Sequence, residues 1–251
     1  MRRIIVSLVV VFLLLTLPAV AQEKKPINLV YFVKVKSGSA LQFEAALKKH
    51  VEWLSQQNEN WKWGVWNRVI GDDLAVYAIG SFGHSFDDFD AHSAMAMANR
   101  QQWMATVAAH VESISSRLSV SRHDISILRD TKEPAALVWV MSQQYKVGTE
   151  DEFNYLTKRI HEAILKVEWP VHYAWSQVIA GGAGPTMTLV IPADNWAGMK
   201  GPEEKFEAML ERALGRPEAD AIMKKWNKIV ISEKSFIYAF RPDLSYMPMV
   251  E

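Results

Sequence analysis

Histidine is the residue type of this sequence best suited to acid–base chemistry, and three of the seven histidines fall at informative positions. His92 ends the segment SFDDFDAH, whose serine is followed three residues later by an aspartate, a spacing that predicts a helix capping box. His50 and His161 fall on the inner faces of two predicted helices. Since an imidazole serves as base, acid or metal ligand, His92 and His50 are candidate catalytic residues and His161 a candidate ligand contact.

Each of these histidines also has a purely structural interpretation. His92 would then be a polar residue in a helix turn, bonded to a nearby carboxylate such as Asp88. His50 and His161 would lie at the edge of a core with their ring nitrogens satisfied. The sequence leaves both interpretations open.

A metal centre is not predicted. Asp87, Asp88, Asp90 and His92 lie close together in sequence, but on a helix only positions 88 and 92 share a face. Acidic residues at the start of a helix are explained more simply by the helix dipole. The chain has no cysteine, so thiolate-bound metals, thiol chemistry and disulfides are excluded.

Tryptophan is abundant, with 10 copies, and five lie in or beside two predicted strands: Trp61, Trp63, Trp66, Trp169 and Trp175. Such rings either fill a core or wall a cavity that binds a flat apolar ligand or a sugar. Trp66 and Trp175 are the candidate cavity walls. Arg68 and Gln177 follow two residues later on the same strand faces and would supply polar contacts to the ligand.

The elements that would position these side chains follow a repeated order. In the first half we predict strands at 28–35, 62–70, 74–82 and 124–128, a helix at 40–56, a helix opening at Ser85 and a longer helix near 101–118. In the second half we predict strands at 135–144, 171–179, 186–191 and 236–240 and helices at 150–166, 203–214 and 218–229. Each half has the order β-α-β-β-α-β, which is typical of a ferredoxin-like unit.

The halves also match residue by residue: Gly38 precedes Gly148 by 110 positions, Trp66 precedes Trp175 by 109 and Arg129 precedes Arg241 by 112. This near-constant offset predicts a duplicated domain pair. We place the first ferredoxin-like unit at 22–132 and the second at 133–251, after a signal peptide at 1–21. The fold class is therefore α+β, and strands with apolar residues on both faces indicate two sheets packed together.

Tandem units of this kind resemble the dimeric α/β-barrel superfamily, including antibiotic-biosynthesis-monooxygenase-like and NIPSNAP-like proteins. The local match is SFDDFDAH at 85–92, which is similar to a Ser-x-Glu-x-Phe-x-x-His stretch after the third strand in those families. The second unit has no histidine at the corresponding place. The resemblance implies two sheets forming a dimeric α/β-barrel-like arrangement. Because the superfamily includes monooxygenases, haem enzymes, isomerases and proteins without known activity, it implies no single function.

The amino terminus is typical of an export signal. Arg2 and Arg3 precede an apolar run that ends at Pro18, and a small-x-small pattern at 19–21 is typical of signal peptidase sites. The chain has 28 basic and 28 acidic residues, so loss of Arg2 and Arg3 leaves a small acidic excess. This balance argues against a nucleic-acid partner and, after cleavage, against a membrane partner. We expect a periplasmic or secreted protein.

The leading functional interpretation is a protein that binds a small apolar or aromatic molecule in a pocket between sheet and helices, without a cofactor. The enzyme alternative is a cofactor-independent monooxygenase or related acid–base enzyme, with His92 or His50 as the base. A haem protein with His50 or His161 as axial ligand, and a purely structural module, are the remaining alternatives. The tandem units would form either a monomer with an intramolecular barrel or a homodimer.

Overall fold

The computed structural model describes residues 26–131 and 133–248, so the predicted signal peptide at 1–21 lies outside the described residues. The first half contains β1 (Ile27–Val35), α1 (Ala40–Gln56), β2 (Gly64–Ile70), β3 (Val76–His84), α2 (Phe86–Thr106) and β4 (Val111–Ser121). The second contains β5 (Leu137–Tyr145), α3 (Glu150–Lys166), β6 (Ala174–Ala180), β7 (Thr186–Ala193), α4 (Phe206–Leu214), α5 (Arg216–Ile229) and β8 (Val230–Phe240). Across these two ranges, no helix is long and apolar enough to span a bilayer.

The eight strands of the described residues form one closed antiparallel barrel in the order β1-β3-β2-β8-β5-β7-β6-β4. Two seams join the halves. At one, Trp66 lies opposite Phe240 and Arg68 opposite Tyr238 between β2 and β8. At the other, β4 pairs with β6. The predicted α+β class and barrel-like arrangement are confirmed, and the barrel closes within a single chain.

Alternation along the strands divides side chains between the barrel interior and the helix-covered outer face. On β1, Val33 is fully buried against the helices of the first half, whereas Phe32 and Lys34 line the interior. The outer core of the first half is formed mainly by β1, β2, β3 and α1, with Phe43 fully buried and its ring 4.9 Å from that of Tyr77.

The second half buries its outer face more completely. Phe153 and Leu156 of α3, together with Met209 and Leu210 of α4, are fully excluded from solvent. Helices α4 and α5 are separated at Gly215, whose positive φ of 83° is a conformation that glycine adopts readily. This break lets two short helices pack into the space that the single helix α2 spans in the first half.

Two predicted elements of the first half were wrong. The helix expected near 101–118 ends at Thr106, as part of α2, and the chain then forms β4. Val107, Val111, Ile114 and Leu118 have helical spacing, but hydrogen bonding to β1 and β6 determines the structure. The strand expected at 124–128 is instead a 3₁₀ turn at His123–Ile125, followed by a single bridge from Ile127 to Tyr173.

Candidate functional site

A cavity of about 730 Å³ lies between the outer face of the first-half strands and helices α1 and α2. Its walls are largely apolar and aromatic: Leu29, Tyr31, Leu47, Leu54, Trp61, Trp63, Ile79, Phe89 and Trp103. Polar side chains form a smaller group: His50, His92, Asn99, Arg100, Ser115 and Ser116. An apolar chamber with a few polar groups on one side is the usual form of a small-molecule site.

The cavity exists because α2 stands away from the sheet. Over its 21 residues α2 buries only His92. Met97 and Met104, which line the cavity, are 67% and 63% exposed and therefore lie at its mouth. Methionine is flexible and polarizable, so such a mouth adapts to ligands of different shape.

The corresponding region of the second half is occupied by side chains of α4 and α5. Met209, Leu210 and Ile222 are buried there against α3. Trp226 of α5 packs with its ring 5.0 Å from that of Phe153. The two halves therefore share a strand arrangement but differ in how much space remains above it.

One end of the cavity is formed by a stack of three aromatic rings. Trp61 lies between His84, with ring centroids 3.7 Å apart, and His92, with centroids 4.1 Å apart. The three planes are nearly parallel, at 18° and 12°. Phe89 meets Trp61 edge-on at 5.0 Å. This packing fixes the orientation of His92, whose side chain also lines the cavity.

Beneath this stack, His92 binds a buried carboxylate. Nε2 of His92 lies 2.9 Å from both oxygens of Glu59, and the Glu59 side chain has no exposed surface. The backbone N–H of Trp61 donates to the same carboxylate at 2.8 Å. Burial alone would raise the pKa of Glu59, but the hydrogen bonds from His92 and Trp61 outweigh it and lower the pKa. Glu59 is therefore an ionised acceptor.

The ionised carboxylate determines the protonation pattern of the imidazole. Because a carboxylate only accepts hydrogen bonds, Nε2 of His92 must carry the proton that it donates to Glu59. Nδ1 of His92 has no hydrogen-bond partner in the described part of the chain. It is therefore the nitrogen that remains for a ligand. A carboxylate that orients a histidine in this way is the arrangement found behind general bases.

His50 is a second buried imidazole on the cavity wall. Its Nε2 lies 2.8 Å from Oδ1 of Asn99, and its ring stacks on Trp53 and meets Trp103 edge-on. Burial lowers the pKa of His50, so the neutral ring is favoured. Nδ1 is buried and unpartnered within the described residues. A ligand reaches that atom only if the ring or its neighbours move.

The remaining predicted site residues lie elsewhere. Trp66 and Arg68 point into the barrel, where the Trp66 ring packs against Phe82 and Phe240. Trp175 lies on the opposite, helix-facing side and packs edge-on against Phe153. Gln177, two residues along β6, shares the face of Trp175 and not that of Trp66.

Trp66 and Trp175 lie on different faces of the sheet because the sequence comparison matched the two halves with an error of one residue. The ladder places Val65 opposite Ile79 and Trp175 opposite Leu189, so Trp175 corresponds to Val65 at an offset of 110. His161 on α3 corresponds to Val51 at the same offset, as predicted. Its Nδ1 binds the hydroxyl of Tyr173 at 2.8 Å, away from the cavity.

The pair Arg129 and Arg241 is also not equivalent. Arg122 and Arg241 occupy the matching places, because each precedes a 3₁₀ turn. The backbone N–H of Arg122 donates to the carbonyl of Trp175 in β6, and that of Arg241 donates to the carbonyl of Val65 in β2. Each also binds the aspartate two residues later, Asp124 or Asp243.

Four residues of the site were missed by sequence reasoning: Asn99, Arg100 and Trp103, which line the cavity, and Glu59, which is buried behind His92. Asn99 and Arg100 fell before the helix that was wrongly placed at 101–118. Glu59 had no motif around it, and its only signal was the cluster of tryptophans that follows at 61–66.

For metals, the described ranges contain no group of three or more histidine, aspartate or glutamate side chains able to hold an ion.

No protein-family model and no curated protein matches this sequence. Solved structures do match in fold. A proposed monooxygenase from Fusobacterium nucleatum has a TM-score of 0.58 at 12% identity, covering 87% of this chain and 93% of the other. A chlorite dismutase from Candidatus Nitrospira defluvii, in complex with cyanide, has a TM-score of 0.55 at 9% identity, covering 88% and 93%. An anthrone oxidase-like protein has a TM-score of 0.54 at 11% identity, covering 87% and 92%.

At these identities the likeness concerns the fold alone. The neighbours are monooxygenase-like and chlorite dismutase-like, and they agree with the predicted α+β barrel fold. Monooxygenase and dismutase chemistries occur on the same scaffold, so the fold does not choose between them.

Proposed function

We propose that this protein binds a flat, largely apolar small molecule in the cavity between α1, α2 and the first-half strands. The observation that carries the proposal is the 730 Å³ chamber walled by Trp61, Trp63 and Trp103. Aromatic walls favour a planar ligand, since ring faces stack with little loss of conformational freedom. The volume falls within the range of drug-sized ligand sites.

Two polar features would orient the ligand. One ring nitrogen of His92, Nε2, carries the proton and donates it to Glu59. Nδ1 is therefore unprotonated and would accept a hydrogen bond from a hydroxyl group of the ligand. Arg100 lies exposed on the cavity wall and would attract a carboxylate or phenolate at the mouth. The preferred ligand is therefore aromatic, with a hydroxyl or acidic group at one edge.

A fluorescence titration with anilinonaphthalene sulfonate tests the proposal. We expect saturable one-to-one binding to the native protein. Ala96→Phe places a ring in the cavity wall and should abolish that binding. Ala91→Phe is the matched control, since Ala91 is an exposed alanine of the same helix outside the cavity. Equal binding by both variants would show that the probe lies elsewhere.

An acid–base enzyme acting on the same ligand is the second candidate, and the Glu59–His92 pair favours it. Nδ1 of His92 would abstract a proton from a bound acidic C–H or O–H, and Glu59 would stabilise the resulting imidazolium. The anthrone oxidase-like neighbour suggests anthrone as a probe, since that compound is flat, aromatic and carries an acidic C–H.

The enzyme candidate is tested by anthrone turnover in oxygenated buffer, followed by absorbance. We expect His92→Gln to weaken anthrone binding by no more than about tenfold, the value of one hydrogen bond. Turnover should fall by about 10²–10⁴-fold, the usual contribution of a general base. Absence of turnover by the native protein above the buffer rate, with binding intact, would leave binding as the function.

Haem ligation through the predicted histidines is not supported by their environment. Nε2 of His50 is bound to Asn99 and its Nδ1 is buried without exposed surface. Nδ1 of His161 is bound to Tyr173, in the half whose outer face is filled. The nitrogen of His50 that Asn99 leaves free is therefore inaccessible, and helices fill the outer face of the half that holds His161, so no step through haem is proposed.

Export remains a proposal, supported by the amino-terminal sequence pattern. The first residue of the mature chain would be Gln22. Mass spectrometry of protein recovered from the periplasm or medium would give a chain starting there, whereas a chain in the cell extract that retains Arg2 and Arg3 would contradict it.

We also propose that the two halves arose by duplication of one ferredoxin-like unit. Support comes from the constant offset of 110 between Ile27 and Leu137, Ala40 and Glu150, and Val65 and Trp175. The relation to NIPSNAP-like proteins remains a prediction.

The closed barrel is complete in one chain, so a homodimer would add an outer interface and not a strand.

A further inference from the structure

A second cavity, of about 430 Å³, opens at one mouth of the barrel interior. It is formed by inward-facing residues of β1, β2, β3, β4, β5 and β8, by the turn after β2 and by Gly181. It lies on the inner side of the sheet, and Ser115 of β4 borders both this cavity and the one described above. Its floor includes the rings of Phe32, Phe236 and Tyr238. Farther along the barrel interior, Trp66 packs against Phe240 and against the half-exposed Phe82.

Cations outnumber carboxylates on the walls of this mouth. The basic residues are Lys34, Arg68, Arg117 and Lys234, and the acidic residues are Asp72 and Asp73. Two of the cations are already paired. Arg68 binds Asp72 at 3.0 Å, and Lys34 binds Asp73 at 3.2 Å and Glu112 at 2.7 Å.

Arg117 differs from Arg68 and Lys34 because no carboxylate in the described ranges lies within ion-pair distance of it. Its guanidinium is 3.4 Å from the hydroxyl of Ser142 and lies over the ring of Phe32, 5.2 Å from the centroid. Burial lowers its pKa, which shows that the surroundings do not offset the cost of holding the charge there. A guanidinium always retains its proton, so the site presents an uncompensated positive charge.

Hydroxyl groups surround this charge. Ser113 and Ser115 of β4 and Ser142 of β5 line the same cavity as Arg117. Lys234, which is exposed at the rim, has no ion pair in the described part of the chain. Guanidinium, ammonium and hydroxyl donors around one space are the groups that bind oxyanions.

We propose that the barrel mouth is a binding site for a small molecule carrying a phosphate or carboxylate group, with Arg117 as its central contact. Lys234 supplies a second positive charge at the rim, and the serine hydroxyls complete the set of donors. This site is independent of the apolar cavity, and its ligand is of a different chemical class.

Isothermal titration of the full chain with inorganic phosphate and, separately, succinate tests the proposal, with sodium chloride at matched ionic strength as background. We expect saturable binding of at least one of the two, and the preferred anion identifies the class of ligand. Arg117→Gln should weaken it at least about tenfold, because a hydrogen bond to a charged group is lost. Arg212→Gln, which removes an exposed arginine bound to Glu204, is the control and should leave binding unchanged.

Thermal unfolding gives an independent readout that a merely structural arginine would not reproduce. Without anion, Arg117→Gln should be at least as stable as the native protein, because an unpaired, partly buried charge is removed. With saturating anion the native protein should become the more stable of the two. If Arg117→Gln does not fold, Lys234→Gln takes its place in the titration and should weaken binding several-fold. Absence of saturable binding to the native protein, or equal binding by these variants, would overturn the proposal.

Discussion

Glu59 and His92, 33 positions apart in sequence, form a buried pair in which both carboxylate oxygens lie 2.9 Å from Nε2 of the imidazole. The pair joins the segment before β2 to helix α2, which otherwise buries no side chain. Together with the contacts of Phe89, Asn99 and Trp103, this interaction attaches α2 to the rest of the first half across the cavity.

Replacement of Glu59 by leucine should be strongly destabilising. The variant leaves Nε2 of His92 and the backbone N–H of Trp61 without their acceptor in a buried site. We expect a loss of about 3–5 kcal/mol in the free energy of unfolding, measured by urea denaturation. Glu204→Leu breaks a surface ion pair with Arg212 and should leave the free energy of unfolding nearly unchanged. Similar losses in the two variants would contradict the role given to Glu59.

The stabilising effect of Glu59 should depend on pH in a defined direction. Its folded-state pKa lies below the ordinary value of 4.5, so the unfolded chain takes up the proton first as the pH falls. The contribution is fully present above about pH 4.5 and is lost as the pH falls through the lower folded-state pKa. The stability difference between the native protein and Glu59→Gln should therefore shrink below pH 4.5. A difference that stays constant from pH 7 to pH 3 would mean that Glu59 is not ionised in the folded protein.

A methyl group at Gly64 should destabilise the barrel from inside. A Cβ there would overlap the Trp66 ring, which is already packed against Phe82 and Phe240. We expect Gly64→Ala to cost about 1–3 kcal/mol in urea unfolding, as for other overpacked interiors. The control is Gly198→Ala, whose nearest new contact would be 3.6 Å away, with an expected change within about 0.5 kcal/mol. If both variants are equally stable, Trp66 has room to move.

Much of the architecture could be predicted from local patterns. Helix α3 has the bounds expected from its apolar spacing, and Gly38 and Gly148 end β-strand segments with positive φ of 75° and 80°. These features depend on residues close in sequence. Strand β4 could not be predicted in the same way, because its apolar spacing is helical and its strand pairing to β1 and β6 involves distant residues.

The site was predictable only in part, because contacts across the fold decide it. His92 and His50 both line the cavity, but the partner of His92 is Glu59 and not Asp88. Asp88 instead forms the predicted capping box with Ser85. The prediction that Trp66 and Trp175 are equivalent residues of the two halves was wrong for a different reason. A shift of one residue in matching the halves moves a strand residue to the other face, so Trp66 and Trp175 point in opposite directions.

NMR of the tryptophan indole N–H signals during titration with anilinonaphthalene sulfonate tests directly whether a ligand binds in this cavity. The signals of Trp61, Trp63 and Trp103, which line the cavity, should shift in a saturable way. Trp139, which donates to Ser235, and the exposed Trp196 should not shift. Shifts confined to Trp139 and Trp196, or no saturable shift of the three cavity residues, would contradict a ligand site between α1, α2 and the sheet.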